Sequence, residues 1–299
     1  MAFLVERATR LNARVVELCC LADDDWTGAD NENIPPGHSL GGFAPAPKLR
    51  LVNAVITAGG LVSGDFARTI GTDVKALASL GGITLLERAI AAARGAGAER
   101  IAVVGGDAVR ARCAHSVERV VDASEDGGEN ILRALSAWDT GPLLYLTSDL
   151  PFVDAAGVRR FADRSAPYAL TMPLARAEAY EARFPHAPEH VIELGGERVA
   201  NGNVFFIAPP AIAPIRAWAT KFFAARKSAI GMARLLGPAL LLRFVFRKLT
   251  IAAIERKAQR TLGVSVAAIR DADPEMCFDV DTLAELEYAR EHLARAEAH

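Results

Sequence analysis

The chain has 299 residues, of which 51% are hydrophobic and 23% charged, and its formal net charge is −2. This composition is typical of a folded globular protein, because disordered chains carry too few apolar residues to form a core. The near-neutral charge, with no basic stripe interleaved with aromatic residues, argues against nucleic acid as a partner.

The cysteines and the apolar segments indicate a cytoplasmic protein. Cysteines stand at positions 19, 20, 113 and 277, without the spacing of a zinc site or a disulfide framework. No segment supplies the roughly 20 mainly apolar residues that a bilayer span needs. The N-terminus also lacks the long apolar centre of a signal peptide. We therefore expect no transmembrane segment.

The first 49 residues differ from the rest of the chain. Residues 1–21 show the spacing of an amphipathic helix, and residues 23–48 are rich in proline and glycine, which is typical of a linker. We expect residues 1–49 to lie outside the core, and residues 50–299 to form one domain.

From residue 51 onward, strand and helix patterns alternate. Strands are predicted at 51–57, 100–104, 117–121 and 143–147, and helices at 84–96, 129–138 and 154–163. Strands that alternate with helices of this length form a mostly parallel sheet covered on both faces. The sequence therefore predicts an α/β fold with three layers, α/β/α, of Rossmann-like type.

The second half of the chain is less regular. Strands are predicted at 168–172, 203–207, 264–269 and 278–280, with an irregular segment at 173–202 and a final helix at 282–298. Residues 210–263 read as a mainly helical insert. Within it, Thr250 is suited to cap a helix that begins at Ile251, and Gly263 is suited to end it.

A glycine loop follows the first predicted strand. Ala58-Gly59-Gly60 ends the apolar run, and Lys75 lies further along the same loop. Bare backbone amides can surround phosphate oxygens, and a lysine can neutralise their charge. The loop matches neither a P-loop nor the dinucleotide fingerprint. The alternative interpretation is a tight turn followed by a surface lysine.

A carboxylate follows the strand predicted at 143–147. Asp149 stands just before Leu150-Pro151, and the proline stops the strand so that the carboxylate lies at the sheet rim. Ligands bind beyond the carboxyl ends of parallel strands, where Asp149 could hold Mg²⁺ beside a bound phosphate. The alternative is that Asp149 caps the helix that begins near Asp154.

Together these motifs resemble sequence motifs of the MobA-like NTP transferase superfamily. The similar stretches are Ala58-Gly59-Gly60, Gly71, Lys75-Ala76-Leu77, the run from Gly81 to Arg88, and Asp149-Leu150-Pro151. This superfamily includes molybdenum-cofactor guanylyl- and cytidylyltransferases and sugar-phosphate nucleotidyltransferases. The resemblance implies the nucleotide-diphospho-sugar transferase fold, a triphosphate contact at Lys75 and a Mg²⁺ ligand at Asp149. Seven residues separate Gly60 from Arg68, whereas family members typically have three before their arginine.

The resemblance also suggests a second carboxylate near the end of the chain. The segment around Asp281-Thr282 is similar to a closing motif in which the aspartate before the threonine binds metal. Leu283 replaces the expected proline. Asp279 is the alternate ligand, since it shares a face with Asp281 if the segment is extended. The other interpretation is that Asp281 only caps the last helix.

Two further segments correspond to the nucleobase and the acceptor in these transferases. Gly128 and Asn130 stand where the family often contacts the base, although a plain helix start explains them equally well. Gly202 and Asn203 resemble residues near the metal or the acceptor, and Asn201-Gly202 is also the signature of a hairpin turn. His186 and His190 lie in the irregular segment, where we expect surface histidines.

The helical insert combines cations with apolar residues. Core packing, an acceptor lid or homodimer surface, and weak peripheral contact with anionic lipid are the three interpretations. The cations are Lys221, Arg226, Lys227, Arg234, Arg243, Arg247 and Lys248.

The sequence therefore predicts a magnesium-dependent nucleotidyltransferase. It would move a nucleoside monophosphate from an NTP, GTP or CTP first, to a small phosphorylated acceptor, with release of pyrophosphate. One alternative is a glycosyltransferase of related topology that uses Asp279-Val280-Asp281 as an Asp-x-Asp motif. The other is an NTP-binding protein without catalytic activity.

Overall fold

The computed structural model of this chain describes residues 53–188, 190–225 and 248–297. The helix and linker predicted for residues 1–49 lie outside the described residues. So do residues 226–247 of the helical insert, which include most of its cations.

The predicted α/β fold is confirmed. Eleven strands and nine α-helices alternate along the described residues, together with short 3₁₀ helices at Lys75–Leu77 and Pro274–Met276. The strands are β1 (Asn53–Thr57), β2 (Ser79–Leu80), β3 (Ile83–Thr84), β4 (Arg100–Gly105), β5 (Arg119–Asp122), β6 (Leu143–Thr147), β7 (Leu170–Arg176), β8 (Val191–Leu194), β9 (Glu197–Asn201), β10 (Val204–Ile207) and β11 (Val266–Arg270). The helices are α1 (Gly64–Ile70), α2 (Leu85–Gly95), α3 (Asp107–Cys113), α4 (Gly127–Ala134), α5 (Ala155–Ser165), α6 (Ala177–Arg183), α7 (Pro209–Ala225), α8 (Ile251–Leu262) and α9 (Leu283–Glu297).

Nine of the strands form one mixed sheet. Its order is β5-β4-β1-β6-β10-β7-β9-β8, and β11 also pairs with β7. Strands β5, β4, β1 and β6 are parallel to one another, whereas β9 and β10 run antiparallel to β7. The carboxyl ends of β1 and β6 therefore meet at one edge of the sheet, as the sequence predicted.

The sheet is covered on both faces, which explains the continuous apolar runs in its central strands. In β1, Ala54, Val55 and Ile56 have no exposed surface. Side chains of α2 and α5 pack on one face, and side chains of α4, α7 and α8 pack on the other. Of the described helices, none is both long and apolar enough to cross a membrane.

Helix ends follow the predicted capping residues. The Thr250 hydroxyl accepts a hydrogen bond from the Ala253 amide at the start of α8, and Gly263 ends that helix in the left-handed conformation with φ of 65°. Thr84 and Glu87 form a reciprocal capping box at α2, which was predicted to begin at this threonine.

Two predictions for the second half are wrong. Residues 173–202 are not irregular, since they contain the end of β7, helix α6 and the hairpin of β8 and β9. Residues 278–280 are buried but form no strand, because the segment runs as a connection whose Val280 amide donates to the Asp149 carbonyl at 3.0 Å.

Candidate active site

The glycine loop and Asp149 leave the sheet side by side. Strands β1 and β6 are parallel neighbours, with Thr57 in register with Thr147. Just beyond this pair, the Ser148 amide donates to the Thr57 carbonyl at 3.0 Å. Ala58 is 1% exposed, and its amide donates a hydrogen bond to a carbonyl of β4. The loop and the carboxylate therefore start from a rigid base.

Lys75 joins the glycine loop to two carboxylates that are remote in the sequence. Its amide donates to the Gly60 carbonyl at 3.0 Å. Its Nζ donates to Asp149 Oδ2 at 2.6 Å and to Asp281 Oδ1 at 2.8 Å. Because the Lys75 side chain is only 14% exposed, the surface-lysine interpretation is wrong.

The charges in this cluster compensate one another. Burial opposes the charged form of Lys75, but attraction by Asp149 and Asp281 outweighs burial and raises the Lys75 pKa above its usual range. Partial loss of hydration and the neighbouring Asp279 raise the pKa of Asp281, while Lys75 acts against that shift. Lys75 therefore stays an ammonium at neutral pH, facing two carboxyl groups.

Asp149 has an unused oxygen inside the cluster. Its Oδ1 is buried and has no hydrogen-bond partner among the described residues. A buried carboxylate oxygen without a donor is costly unless a cation or ligand compensates it. Asp149 does not cap the next helix, because Asp154 does so by accepting from the Gly157 amide at 2.8 Å.

Asp281 and Asp149 fit a magnesium ion. Mg²⁺ is typically held by one or two carboxylates, with phosphate and water oxygens filling its other positions. Over residues 53–188, 190–225 and 248–297, no group of at least three histidine, cysteine or carboxylate side chains could hold a metal. What this cluster offers a cation is two carboxylates, one of which has a buried oxygen without a hydrogen-bond donor in the described part of the chain.

The two aspartates of the Asp-x-Asp sequence face different partners. Asp281 contacts Lys75, whereas Oδ1 of the buried Asp279 lies 3.3 Å from Nδ1 of His190. The cap of α9 is formed by Thr282 and Glu285, since the Thr282 hydroxyl accepts from the Glu285 amide at 3.3 Å. Asp281 is therefore not the helix cap, and the divergence of the two aspartates disfavours the glycosyltransferase alternative.

Asn130 supports the glycine loop from behind. Its Oδ1 accepts from the Ser124 amide at 2.6 Å and its Nδ2 donates to the Ser124 carbonyl at 2.9 Å. A Cβ added at Gly59 would lie 2.9 Å from Asn130 Nδ2 and 3.1 Å from the Ala123 Cβ. Gly59 is therefore required for the close approach of this loop to the segment at residues 123–126.

Gly128 lies in the first turn of α4. Its amide donates to Asp126 Oδ1 at 2.7 Å, and the Glu129 amide donates to the same oxygen at 3.3 Å. This geometry is a helix N-cap, which agrees with the simpler of the two interpretations of this segment. Arg68 lies on the exposed side of α1, where it pairs with Asp65.

Gly202 and Asn203 interrupt a strand beside Asp149. Strands β9 and β10 both run antiparallel to β7, and the two residues between them form a bulge rather than a hairpin turn. The Asn203 carbonyl accepts from the Thr147 amide at 3.2 Å, and the Asn203 amide donates to the Met276 carbonyl at 3.1 Å. Asn203 thus connects the rim at Thr147 with the segment that leads to Asp281.

Sequence reasoning missed one buried polar cluster. His190 was expected at the surface, but it is 2% exposed and lies between Asp279 and Glu285. The available signal was the alternation of His190 with Ile192 and Leu194, which places the three side chains on one buried face of the chain at β8. His186 is exposed, as predicted.

A comparison with known proteins identifies the family of this chain. A family model described as the MobA-like NTP transferase domain matches residues 54–274. The matched range includes the glycine loop, Lys75, Asp149 and Asn203, and it ends before Asp281. Among curated proteins, none matches this chain significantly.

Solved structures share the fold. The structure of a hypothetical transferase from Thermus thermophilus is 28% identical to this chain and has a TM-score of 0.67. The match covers 79% of this chain and 99% of the Thermus chain. The 4-diphosphocytidyl-2C-methyl-D-erythritol synthase from Anaerococcus prevotii is 13% identical, covers 82% and 99%, and has a TM-score of 0.50. The second likeness concerns the fold alone. Because the family model spans most of the sequence, the chain belongs to the MobA-like NTP transferase family and is a nucleotidyltransferase.

Proposed function

We propose that this enzyme is magnesium-dependent and moves a nucleoside monophosphate from an NTP to a small phosphorylated acceptor, with release of pyrophosphate. The observation that supports it best is the meeting of Lys75, Asp149 and Asp281 beside the glycine loop. Each group has a task in such a transfer, and the three come from segments far apart in the sequence.

The glycine loop and Lys75 would bind the triphosphate. Gly59 and Gly60 follow the carboxyl end of β1, where phosphate groups approach bare amides in α/β folds. The Ala58 amide is bonded to a carbonyl of β4, so Ala58 would anchor the loop. The raised pKa of Lys75 keeps its ammonium charged, so it can neutralise charge on the triphosphate and the departing pyrophosphate.

Asp149 and Asp281 would hold Mg²⁺. The unpartnered Oδ1 of Asp149 and the partly exposed carboxylate of Asp281 are the available ligands. When bound, the ion supplies positive charge that neutralises phosphate oxygens and fixes their orientation. In the structure, the Lys75 ammonium donates to one oxygen of each carboxylate, so a cation already lies between Asp149 and Asp281.

The transfer needs little acid–base chemistry. An oxygen of the acceptor phosphate bonds to the α-phosphorus, and the bond from that phosphorus to the bridging oxygen breaks. Pyrophosphate leaves with the bonding electron pair. A phosphate monoester is largely ionised at neutral pH, so no side chain has to remove a proton. Alignment and charge neutralisation by Lys75 and the loop then supply most of the acceleration.

The nucleotide and the acceptor would bind on opposite sides of Asp149. The segment held by Asn130, with Gly128 at the start of α4, would face the nucleobase, and we name GTP and CTP as the first bases to test. Gly202 and Asn203 would face the acceptor, because the bulge lies beside Thr147 on the other side of Asp149.

Transfer of a labelled α-phosphate tests this proposal. The enzyme is incubated with Mg²⁺, each NTP labelled at the α-phosphorus, and fractions of a metabolite extract, and both the label and pyrophosphate are followed. We expect one base to give a labelled product and an equal amount of pyrophosphate. Asp149→Asn should abolish both signals, whereas Asp163→Asn, which removes a carboxylate paired with Arg159 on α5, should not.

The outcome that contradicts the proposal is equally specific. Full transfer by Asp149→Asn would exclude the assigned role of this carboxylate. Binding of NTP without transfer for any fraction would favour the NTP-binding protein, and product formation without the α-label would favour the glycosyltransferase.

A further inference from the structure

A buried histidine lies behind the segment that carries Asp281. His190 stands just before β8, and its side chain has no exposed surface. Its ring packs against Phe278, with centroids 4.9 Å apart and an interplanar angle of 32°, and against Tyr180 at 5.8 Å. The ring is thus held by aromatic contacts at a fixed place beneath residues 278–285.

Both nitrogens of this ring face carboxylates. Nδ1 lies 3.3 Å from Asp279 Oδ1, and Nε2 lies 3.6 Å from Glu285 Oε1. Asp279 and Glu285 are each 5% exposed. Buried carboxylates are costly unless polar or charged groups compensate them, and the ring places polar atoms between the two.

Glu285 links the histidine to the backbone of Asp281. Its Oε2 accepts from the Asp281 amide at 2.6 Å and from the Thr282 amide at 2.7 Å. On the other side, the Val280 amide is bonded to the Asp149 carbonyl at 3.0 Å. The backbone of residues 280–282 is therefore held from two directions, at Val280 by Asp149 and at the next two amides by the carboxylate that faces His190.

We propose that His190 is a positioning residue that holds the Asp281 carboxylate in place for the metal. The proposal rests on the function proposed above, since it assumes that Asp281 is a metal ligand. His190 does not touch the metal or the substrate. It acts through Asp279 and Glu285, and groups that orient metal ligands typically change metal affinity by about 10- to 100-fold when they are replaced.

The test measures metal binding as well as activity. His190→Phe keeps a ring but removes both nitrogens, and His190→Gln keeps a polar group and serves if the first variant does not fold. Mn²⁺ binding is measured by electron paramagnetic resonance, with an NTP analogue that cannot be cleaved. In parallel, the Mg²⁺ concentration for half-maximal label transfer and the KM for NTP at saturating Mg²⁺ are determined.

A matched control separates positioning from general destabilisation. Thr171→Val removes a buried hydrogen bond of 2.7 Å to Ser165, near the amino end of β7 and away from the cluster. The His190 variants are compared with Thr171→Val where both lower the melting temperature by a similar amount. We expect the His190 variants to weaken Mn²⁺ binding about tenfold and to raise the Mg²⁺ requirement similarly, with little change in KM. Thr171→Val should change neither.

Two outcomes would overturn the inference, and they are distinguishable. If the wild type transfers label but His190→Gln binds Mn²⁺ as tightly as Thr171→Val does, the positioning role alone is wrong. If the wild type neither binds Mn²⁺ with the analogue nor transfers label, the proposed function fails and the positioning role fails with it.

Discussion

Replacement of Lys75 by methionine tests whether Asp149 and Asp281 form a cation site. Lys75→Met keeps much of the side-chain volume but leaves two carboxylates facing each other without a counter-charge. Breaking a fully buried ion pair costs roughly 3–5 kcal/mol. The Asp149 side chain is 13% exposed, but that of Asp281 is 51% exposed, so water screens part of the loss. We therefore expect the free energy of unfolding to fall by about 2 kcal/mol in a chelator-containing buffer, which is less than for a fully buried pair.

Magnesium should restore part of this loss. In the wild type, Lys75 competes with the metal for the same carboxylates, whereas the methionine variant offers them unoccupied. A ligand at about ten times its dissociation constant stabilises a protein by roughly 1.4 kcal/mol. The deficit of Lys75→Met should therefore shrink by about 1 kcal/mol when Mg²⁺ is added.

Urea unfolding with chelator and with Mg²⁺ measures both effects. Lys248→Met is the control, because Lys248 is exposed and its replacement should change the free energy of unfolding by less than about 0.5 kcal/mol. Equal stabilisation of wild type and Lys75→Met by Mg²⁺, or a loss no larger than that of the control, would refute a shared cation site at these carboxylates.

Three other substitutions and one chemical modification have defined outcomes. Gly59→Ala should lower the free energy of unfolding by about 1–3 kcal/mol, because its Cβ meets Asn130 at 2.9 Å. Gly60→Ala, whose nearest contact would be an ordinary 3.5 Å, should keep its stability in urea but bind NTP more weakly in calorimetry. Gly202→Ala should unfold at lower urea and lose label transfer, since its Cβ would lie 2.5 Å from a backbone carbonyl. Burial raises the pKa of Cys277 to about 12, so iodoacetamide should not modify this thiol at neutral pH unless the protein is unfolded, as mass spectrometry of its peptide can show.

The rim of the sheet could be predicted from the sequence because local signals agree there. The strands that end at Thr57 and Thr147 are continuous apolar runs, and glycine or proline follows each of them. Parallel strands bring such ends to the same rim, so the position of the glycine loop and Asp149 at that rim followed from the pattern. That β1 and β6 are direct neighbours did not follow from it. The contact of Lys75 with Asp281 did not, because it joins residues 206 apart in the sequence.

Short or ambiguous elements explain the errors. Helix α6 has 7 residues and β8 has 4, so neither supplies enough repeats for a periodic pattern. Asn201-Gly202 has the composition of a hairpin turn, yet β9 and β10 both pair with β7, and long-range pairing decides the conformation there. His190 alternates with the buried Ile192 and Leu194, but the strand that follows it has only 4 residues, which is too short for the pattern to decide.

The central claim is that Asp149 and Asp281 share one divalent metal with the nucleotide. Anomalous diffraction at the manganese absorption edge, from a crystal grown with Mn²⁺ and an uncleavable NTP analogue, tests it most directly. We predict an anomalous peak within about 2.3 Å of a carboxylate oxygen of each aspartate, with the phosphates beside the glycine loop. A nucleotide bound with its metal elsewhere, or bound in Mn²⁺ with no peak between these two side chains, would contradict the assignment.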